Sequence, residues 1–396
     1  MQNLRLINKN RVFALIFCLL LIAGAALAAA TAAVSPPMAL AAAEGDIPGA
    51  AAYLTDADGS VVMYAKNETA KRPIASMVKI MTALLVFEAM DRGELAPSDL
   101  VPVSENAAGM GGSQVFLDAG TQHTAEQLIK AVIVCSANDA CVALAEKISG
   151  SVPAFVDDMN GRAAELGMAD THFSNCTGLP APGAFSTAKD VSVMFRELIR
   201  HPAYFDYSGI WTEDYAHPGG RTTNMTNTNK LVRFYDGCDG GKTGFTSEAK
   251  FCLAATAERK DMRVIAVVLG GESSKQRFGA VSSMFDRAFG GYESKLLAAA
   301  GENFGEPVPV RLGKKRGVAV TPERDIRVIA PRGGEDGAEL RTELPEKVKA
   351  PVKAGDVLGK VTVIRQGKAV SEVPLVAAES VEKAGIFDLL RPRPRA

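Results

Sequence analysis

The chain has 396 residues, 47% hydrophobic and 22% charged, with 44 Lys+Arg against 45 Asp+Glu. That length suggests two or three domains, and the apolar share supplies ample core, which excludes wholesale disorder. A formal charge of −1 and 6% aromatics with a single Trp give no reason to expect nucleic acid as a partner.

Residues 1–11 carry Arg5, Lys9 and Arg11 and no acid, and an unbroken apolar stretch follows from Val12 to Ala30. A basic start, an apolar centre and small residues at A-x-A spacing (Ala39-Leu40-Ala41, Ala41-Ala42-Ala43) are the pattern of a secretory signal over 1–43. The alternative is an uncleaved helix, because the 19 apolar residues approach the roughly 20 that span a bilayer. Either way the body is expected outside the cytoplasm.

Alternation and turn residues predict a β-hairpin over 50–66 and a long apolar helix over 75–91, with Gly93 just past its end. Apolar positions recur at helical spacing over 124–148, 153–166 and 187–200. Residues 238–270 read as three successive strands, and a helix is expected over about 275–298. Strands at both ends with helices between imply an α/β domain over 44–300, an antiparallel sheet covered by helices. After Gly301 the alternation of Val308/Val310/Leu312, Ile326/Val328, Val361/Val363 and Val373/Leu375 predicts a small all-β sandwich over 301–379. In the tail, 380–396, Ser380 is expected to cap a short helix through Leu390, ahead of Arg391, Arg393 and Arg395. Such a segment either lies on an anionic bilayer or packs on the sandwich.

Cys18 lies in the leading segment, which leaves five cysteines. Cys135 and Cys141 read as sharing a helix, where six residues rise about 9 Å, beyond the roughly 7 Å a disulfide tolerates. The odd count is not a disulfide framework. No C-x-x-C or H-E-x-x-H occurs and the four histidines are dispersed, so neither a metal nor a cofactor is expected.

Three short motifs carry chemistry. Ser76-Met77-Val78-Lys79 is an S-x-x-K tetrad; the pattern recurs at Ser186, Ser247 and Ser380, but only Ser76 opens a strongly apolar helix. Spacing i, i+3 puts hydroxyl and amine on one face, and burial disfavours the charged lysine, making it a candidate base. Ser136-Ala137-Asn138 is an S-x-N triplet between two helical stretches, with a decoy at Ser104-Glu105-Asn106. It reads as a second catalytic wall or as a helix-breaking turn. Lys242-Thr243-Gly244 is unique and falls on a predicted strand; Thr243 can reach a ligand along the strand edge, and Gly244 permits close backbone approach. Alone it also reads as a solvated lysine beside a turn glycine.

The order S-x-x-K, S-x-N, K-T-G resembles the signature of serine penicillin-recognising enzymes. The chain is similar to the low-molecular-mass penicillin-binding proteins, serine-type D-alanyl-D-alanine carboxypeptidases, over about residues 45–390. Supporting stretches are Pro73-Ile74-Ala75-Ser76, Thr171-His172-Phe173-Ser174-Asn175, Thr177-Gly178-Leu179 and Ser186-Thr187-Ala188-Lys189-Asp190. Two departures stand out: Ala184-Phe185 precedes Ser186 where relatives often carry His, and Phe245 follows the K-T-G.

The resemblance implies acyl transfer through a serine ester. Ser76 attacks the penultimate D-alanine carbonyl of a peptidoglycan stem peptide, Lys79 takes its proton, and Ser136 and Asn138 relay protons and orient the substrate. Backbone N–H groups of Ser76 and Phe245 form the oxyanion hole. Lys242, Thr243, Gly244 and Arg277 meet the substrate, whose terminal carboxylate falls to Lys242, Thr243 and Arg277. β-Lactams are the implied inhibitors, and the cell-wall space at the outer face of the cytoplasmic membrane is the implied location. A class A β-lactamase shares the three motifs, but no E-x-x-L-N element lies between Asn138 and Lys242. A non-catalytic cell-wall or β-lactam-binding module is the remaining alternative.

Overall fold

The structure is a computed structural model that describes residues 46–365 and 367–385. The predicted leading segment 1–43 and the tail beyond Gly385 lie outside the described residues. Strands β1 (Ala51–Asp56) and β2 (Val62–Lys66) form the predicted hairpin. The buried Asp56 carboxylate closes its turn, accepting from Ser60 Oγ at 2.6 Å and Val61 N at 2.9 Å. A 3₁₀ turn, Ala75–Val78, leads into α1 (Lys79–Asp91), which is buried on nearly every side and stops at Gly93 with φ +73°. The short strands β3 (Leu100–Pro102) and β4 (Gln122–Thr124) pair ahead of α2 (Ala125–Val134), whose start carries a Thr124–Gln127 capping box. Then come α3 (Asn138–Ser149), α4 (Val152–Glu165), α5 (Ala188–Leu198) and the ribbon of β5 (Thr212–Ala216) with β6 (Thr222–Thr226).

Strands β7 (Cys238–Thr246), β8 (Lys250–Arg259) and β9 (Met262–Gly271) complete one antiparallel sheet in the order β2-β1-β9-β8-β7, so the two ends of this region do build a single sheet. Its two faces obey the two-residue period. Ile265, Val267 and Leu269 of β9 point into the core shared with α1 to α5, and Val264, Ala266 and Val268 point toward α6 (Ser274–Gly291). At about 1.5–3 kcal/mol for each fully buried Val, Leu or Ile, this double burial fixes the register of the sheet. The edge strand β7 is thereby set against the 3₁₀ turn.

The helix expected over 275–298 ends at Gly291. Tyr292–Ala298 is strand β10 instead, antiparallel to β14 (Ile326–Pro331). Arg332, just after β14, donates to the carbonyls of Phe289 and Gly290, capping the last turn of α6 where Gly290-Gly291 offers no side chain. Around β14 lie β11 (Val308–Arg311), β12 (Gly317–Val318), β13 (Val320–Pro322), β15 (Ala338–Glu343), β16 (Val348–Lys349), β17 (Val357–Arg365) and β18 (Lys368–Ala377). They make sheets ordered β12-β11-β16 and β13-β18-β17-β15 around a valine-rich core, the all-β sandwich expected after the helical domain.

Two further expectations change. Cys135 is the residue that ends α2 while Cys141 lies inside α3, so the two do not share a helix; all five described cysteines are free thiols. The tail does not begin a helix at Ser380. Val381 and Lys383 bridge Val352 and Gly313, and Val381 is 1% exposed in the sandwich core, so burial of one valine holds 381–384 extended.

Candidate active site

The three motifs converge. Ser76 sits in the 3₁₀ turn one step before α1, and Lys79 is the first residue of α1. The Lys79 Nζ lies 3.1 Å from Ser76 Oγ, as the i, i+3 spacing requires. The same amine reaches Asn138 Oδ1 and the Thr177 carbonyl, both at 2.6 Å. Lys79 is 1% exposed, and burial holds its ammonium below the ordinary lysine range.

Asn138 is the first residue of α3 and reaches out of it at both ends of its carboxamide. Nδ2 donates to the Gly111 carbonyl at 2.6 Å, leaving Oδ1 for Lys79. Ser136 breaks the chain between α2 and α3 with φ +65°, a conformation that costs a residue with a β-carbon about 1–2 kcal/mol. Its hydroxyl is buried without a hydrogen-bond partner in the structure. Both readings of the triplet hold: it is a helix-breaking turn and it lines the site. Asp139, buried next to Asn138, binds the backbone N–H groups of Val115 and Leu117 and so fixes the loop whose Gly111 carbonyl orients Asn138.

From β7, Lys242 borders a small void also bordered by Lys79 and Tyr204. Its Nζ donates to the Thr243 carbonyl at 2.8 Å. Burial, then the charges of Lys79 and Arg277, push Lys242 well below the lysine range. With both amines buried at one void, a charge on Lys79 disfavours a charge on Lys242. Thr243 is buried beside it, and Phe245 stands 53% exposed, its ring tilted 36° against that of Phe251 with centroids 4.4 Å apart. Gly244 meets its close neighbour in this chain's own turn: a β-carbon there would stand 2.7 Å from the Ile74 carbonyl and 3.2 Å from Ala75 Cβ. Arg277 lies in the first turn of α6, is 9% exposed, and donates from Nη1 to the Gly244 carbonyl at 3.1 Å. Burial lowers it to about 10.

Three of the four decoys are structural. Ser104 Oγ accepts from Ala107 N as a helix cap, Ser186 Oγ bonds Thr171 at 2.8 Å, and Ser380 Oγ accepts from Ala354 N. Two contributors escaped the motif search. Thr177 acts through its carbonyl, which no side-chain pattern reports. Asn175 holds that carbonyl in place: its Oδ1 accepts from Thr177 N and Gly178 N, and its Nδ2 donates to the Leu179 carbonyl.

Residues 37–273 match the family model described as D-alanyl-D-alanine carboxypeptidase, and residues 292–383 match the C-terminal domain of penicillin-binding protein 5. The chain is 40% identical to the D-alanyl-D-alanine carboxypeptidase DacF of Bacillus subtilis over 86% of its own length and 87% of the relative's. With DacC of Escherichia coli it shares 33% identity over 84% of each. Among solved structures, PBP3 of Streptococcus pneumoniae, a peptidoglycan synthesis regulatory factor, superposes with a TM-score of 0.74 at 29% identity, covering 85% of this chain and 100% of that one. Penicillin-binding protein 5 of Haemophilus influenzae gives 0.65 at 31%, over 86% and 100%. Both regions of the chain, the helix-covered sheet and the β-sandwich, are thus accounted for, and the chain belongs to the D-alanyl-D-alanine carboxypeptidase family.

Proposed function

We propose that Ser76 is the nucleophile by which this serine carboxypeptidase removes the terminal D-alanine of peptidoglycan stem peptides. The observation that carries the reading is the set of three neighbours around Lys79. A neutral amine has two hydrogens and one lone pair. Asn138 Oδ1 and the Thr177 carbonyl, each at 2.6 Å, accept the two hydrogens, and the lone pair is left for the Ser76 hydroxyl at 3.1 Å.

The substrate carboxylate enters beside Thr243, Lys242 and Arg277. Its negative charge favours the ammonium form of Lys242, whose repulsion then holds Lys79 neutral. Ser76 Oγ forms a bond to the penultimate D-alanine carbonyl carbon as its proton passes to Lys79. The oxyanion is received by the N–H groups of Ser76 and Phe245. The C–N bond breaks, and the leaving amine takes the proton from Lys79 through the Ser136 hydroxyl, which has no competing partner, so Lys79 is neutral again. Water then attacks the ester, gives a proton to Lys79, and Ser76 regains its own.

A β-lactam would follow the first half of this route and remain on Ser76. The test is parallel: D-alanine release from a pentapeptide stem and labelling by a fluorescent penicillin, each with wild type and Ser76→Ala. Both signals are expected to vanish in the variant; labelling that persists would overturn the assignment. We further propose that the chain is exported through its leading segment and works at the outer face of the cytoplasmic membrane, touched by the basic end Arg391–Arg395. Since Val381 belongs to the sandwich core, the informative truncation is after Gly385, and loss of co-flotation with anionic vesicles is the expected result.

A further inference from the structure

One face of the sandwich is basic. Along β11 the side chains alternate: Val308 and Val310 are buried in the core, Pro309 and Arg311 are exposed. β16 runs parallel to it with Val310 opposite Val348 and Arg311 opposite Lys349, so two cations stand side by side on the outer face. Arg316, whose carbonyl accepts from Val310 N, adds a third, and Lys347, Lys353 and Lys383 flank them, all exposed. None of these six pairs with a carboxylate among the described residues, whereas Lys314 and Lys315 pair with Glu382 and Glu379. Like charges gathered without acids repel, and they are relieved by an anion from outside the chain.

An apolar side chain stands among them. Leu312, between Arg311 and Lys314 in the chain, takes φ +57° and is 42% exposed. A left-handed backbone is unfavourable for a bulky residue, and here it goes with a leucine left in water. The chain also leaves the sandwich at this place. Lys383 bridges Gly313, and Ala384 N donates to the Leu312 carbonyl at 2.8 Å, so the described chain ends beside Leu312. The sequence beyond Gly385 continues with Ile386-Phe387 and Leu389-Leu390 and closes on Arg391, Arg393 and Arg395.

Unpaired cations around one exposed apolar side chain fit a partner that is negative at its surface and apolar beneath it. A soluble polyanion would satisfy the cations and leave Leu312 in water. We infer that the β12-β11-β16 face of the sandwich docks on an anionic lipid bilayer, its cations among the headgroups and Leu312 at the boundary with the acyl chains. This docking rests on the reading that the tail touches the membrane, and the experiment separates the two.

The probes are mixed phosphatidylcholine–phosphatidylglycerol vesicles, with pure phosphatidylcholine as the neutral reference. Co-flotation is measured for the chain from Glu44 to Ala396 and for three variants of it. Arg311→Gln/Lys349→Gln is expected to lower the partition coefficient on anionic vesicles about twenty-five-fold, about fivefold for each cation withdrawn. Leu312→Asn, a residue that suits the left-handed backbone, lowers it about threefold. Arg341→Gln/Lys368→Gln removes the same charge from β15 and β18 of the other sheet and changes it less than about twofold. D-Alanine release from a soluble stem peptide stays at the wild-type rate in all three, which reports an intact fold. An equal fall in the two double variants, or none in Arg311→Gln/Lys349→Gln while wild type still floats, overturns the docking face alone. Leu312→Asn binding as wild type overturns it too, in favour of a site for soluble polyanions. Wild type that fails to float with anionic vesicles overturns the membrane reading and the docking face together.

Discussion

Gly178 lies directly under Ala75: a β-carbon on Gly178 would stand 2.1 Å from the Ala75 carbonyl oxygen and 2.8 Å from Ser76 N. The segment that supplies the Thr177 carbonyl to Lys79 is therefore in contact with the turn that carries Ser76. Gly178→Ala adds a collision with backbone to a φ of +79° that alanine resists. We expect a loss of about 2–4 kcal/mol and slowed labelling by fluorescent penicillin, followed by thermal melting and labelling rate. Gly93→Ala, at φ +73° with nothing within 4 Å, is the control, losing about 1 kcal/mol at normal labelling rates.

Asn138→Asp replaces a neutral acceptor of the Lys79 amine by a carboxylate. A negative charge favours the ammonium, so the Lys79 pKa rises, while the proposed base is the neutral amine. The acidic limb of the kcat/KM profile for D-alanine release is expected to move to higher pH, with a ten- to hundredfold loss near neutrality. A profile unchanged in position would argue against Lys79 as base.

Tyr204 is buried and its Oη accepts from Gly241 N at 3.0 Å, on the residue before Lys242. Tyr204→Phe keeps the ring and strands that N–H. A loss of about 1–3 kcal/mol is expected in urea unfolding, read as a lower midpoint with an unchanged slope.

His123 of β4 and His217, just past β5, face each other edge to face, 5.9 Å between ring centroids, and beside them Thr223 Oγ1 of β6 donates to the Val115 carbonyl. Burial depresses both; His217 and then Arg221 lower His123 further, Arg221 lowers His217, and Asp118 and Asp139 oppose in each case. A histidine whose folded pKa lies below its unfolded value resists the proton that the unfolded chain accepts. Its contribution is whole above about pH 6.5 and declines as the pH falls through that value toward the folded pKa. Melting temperatures taken from pH 7.5 to 5 should fall, and His217→Gln should flatten that slope.

Much of this was legible in the sequence because apolar periodicity and motif order report side chains. The hairpin, the helix of Lys79 and the three strands of 238–270 follow from spacing alone, and Ser76, Lys79 and Asn138 meet as their motifs require. What escaped was carried by backbone and by distant partners. The 3₁₀ start at Ala75 and the left-handed Ser136 depend on tertiary contacts, and the Thr177 carbonyl leaves no mark on residue type. Tyr292–Ala298 passed for helix because its partner strand begins 28 residues later, at Ile326. Val381 likewise became a core residue through Val352, far off in the chain.

The guanidinium of Arg332 grips the end of the helix whose first turn carries Arg277, and that helix passes without a spacer into the strand Tyr292–Ala298. One stiff rod thus has its first turn at the cleft and its last turn clamped in the sandwich. The angle at which the cleft is presented is therefore built into the covalent and hydrogen-bonded frame, and whatever holds the far end of the sandwich also aims the cleft.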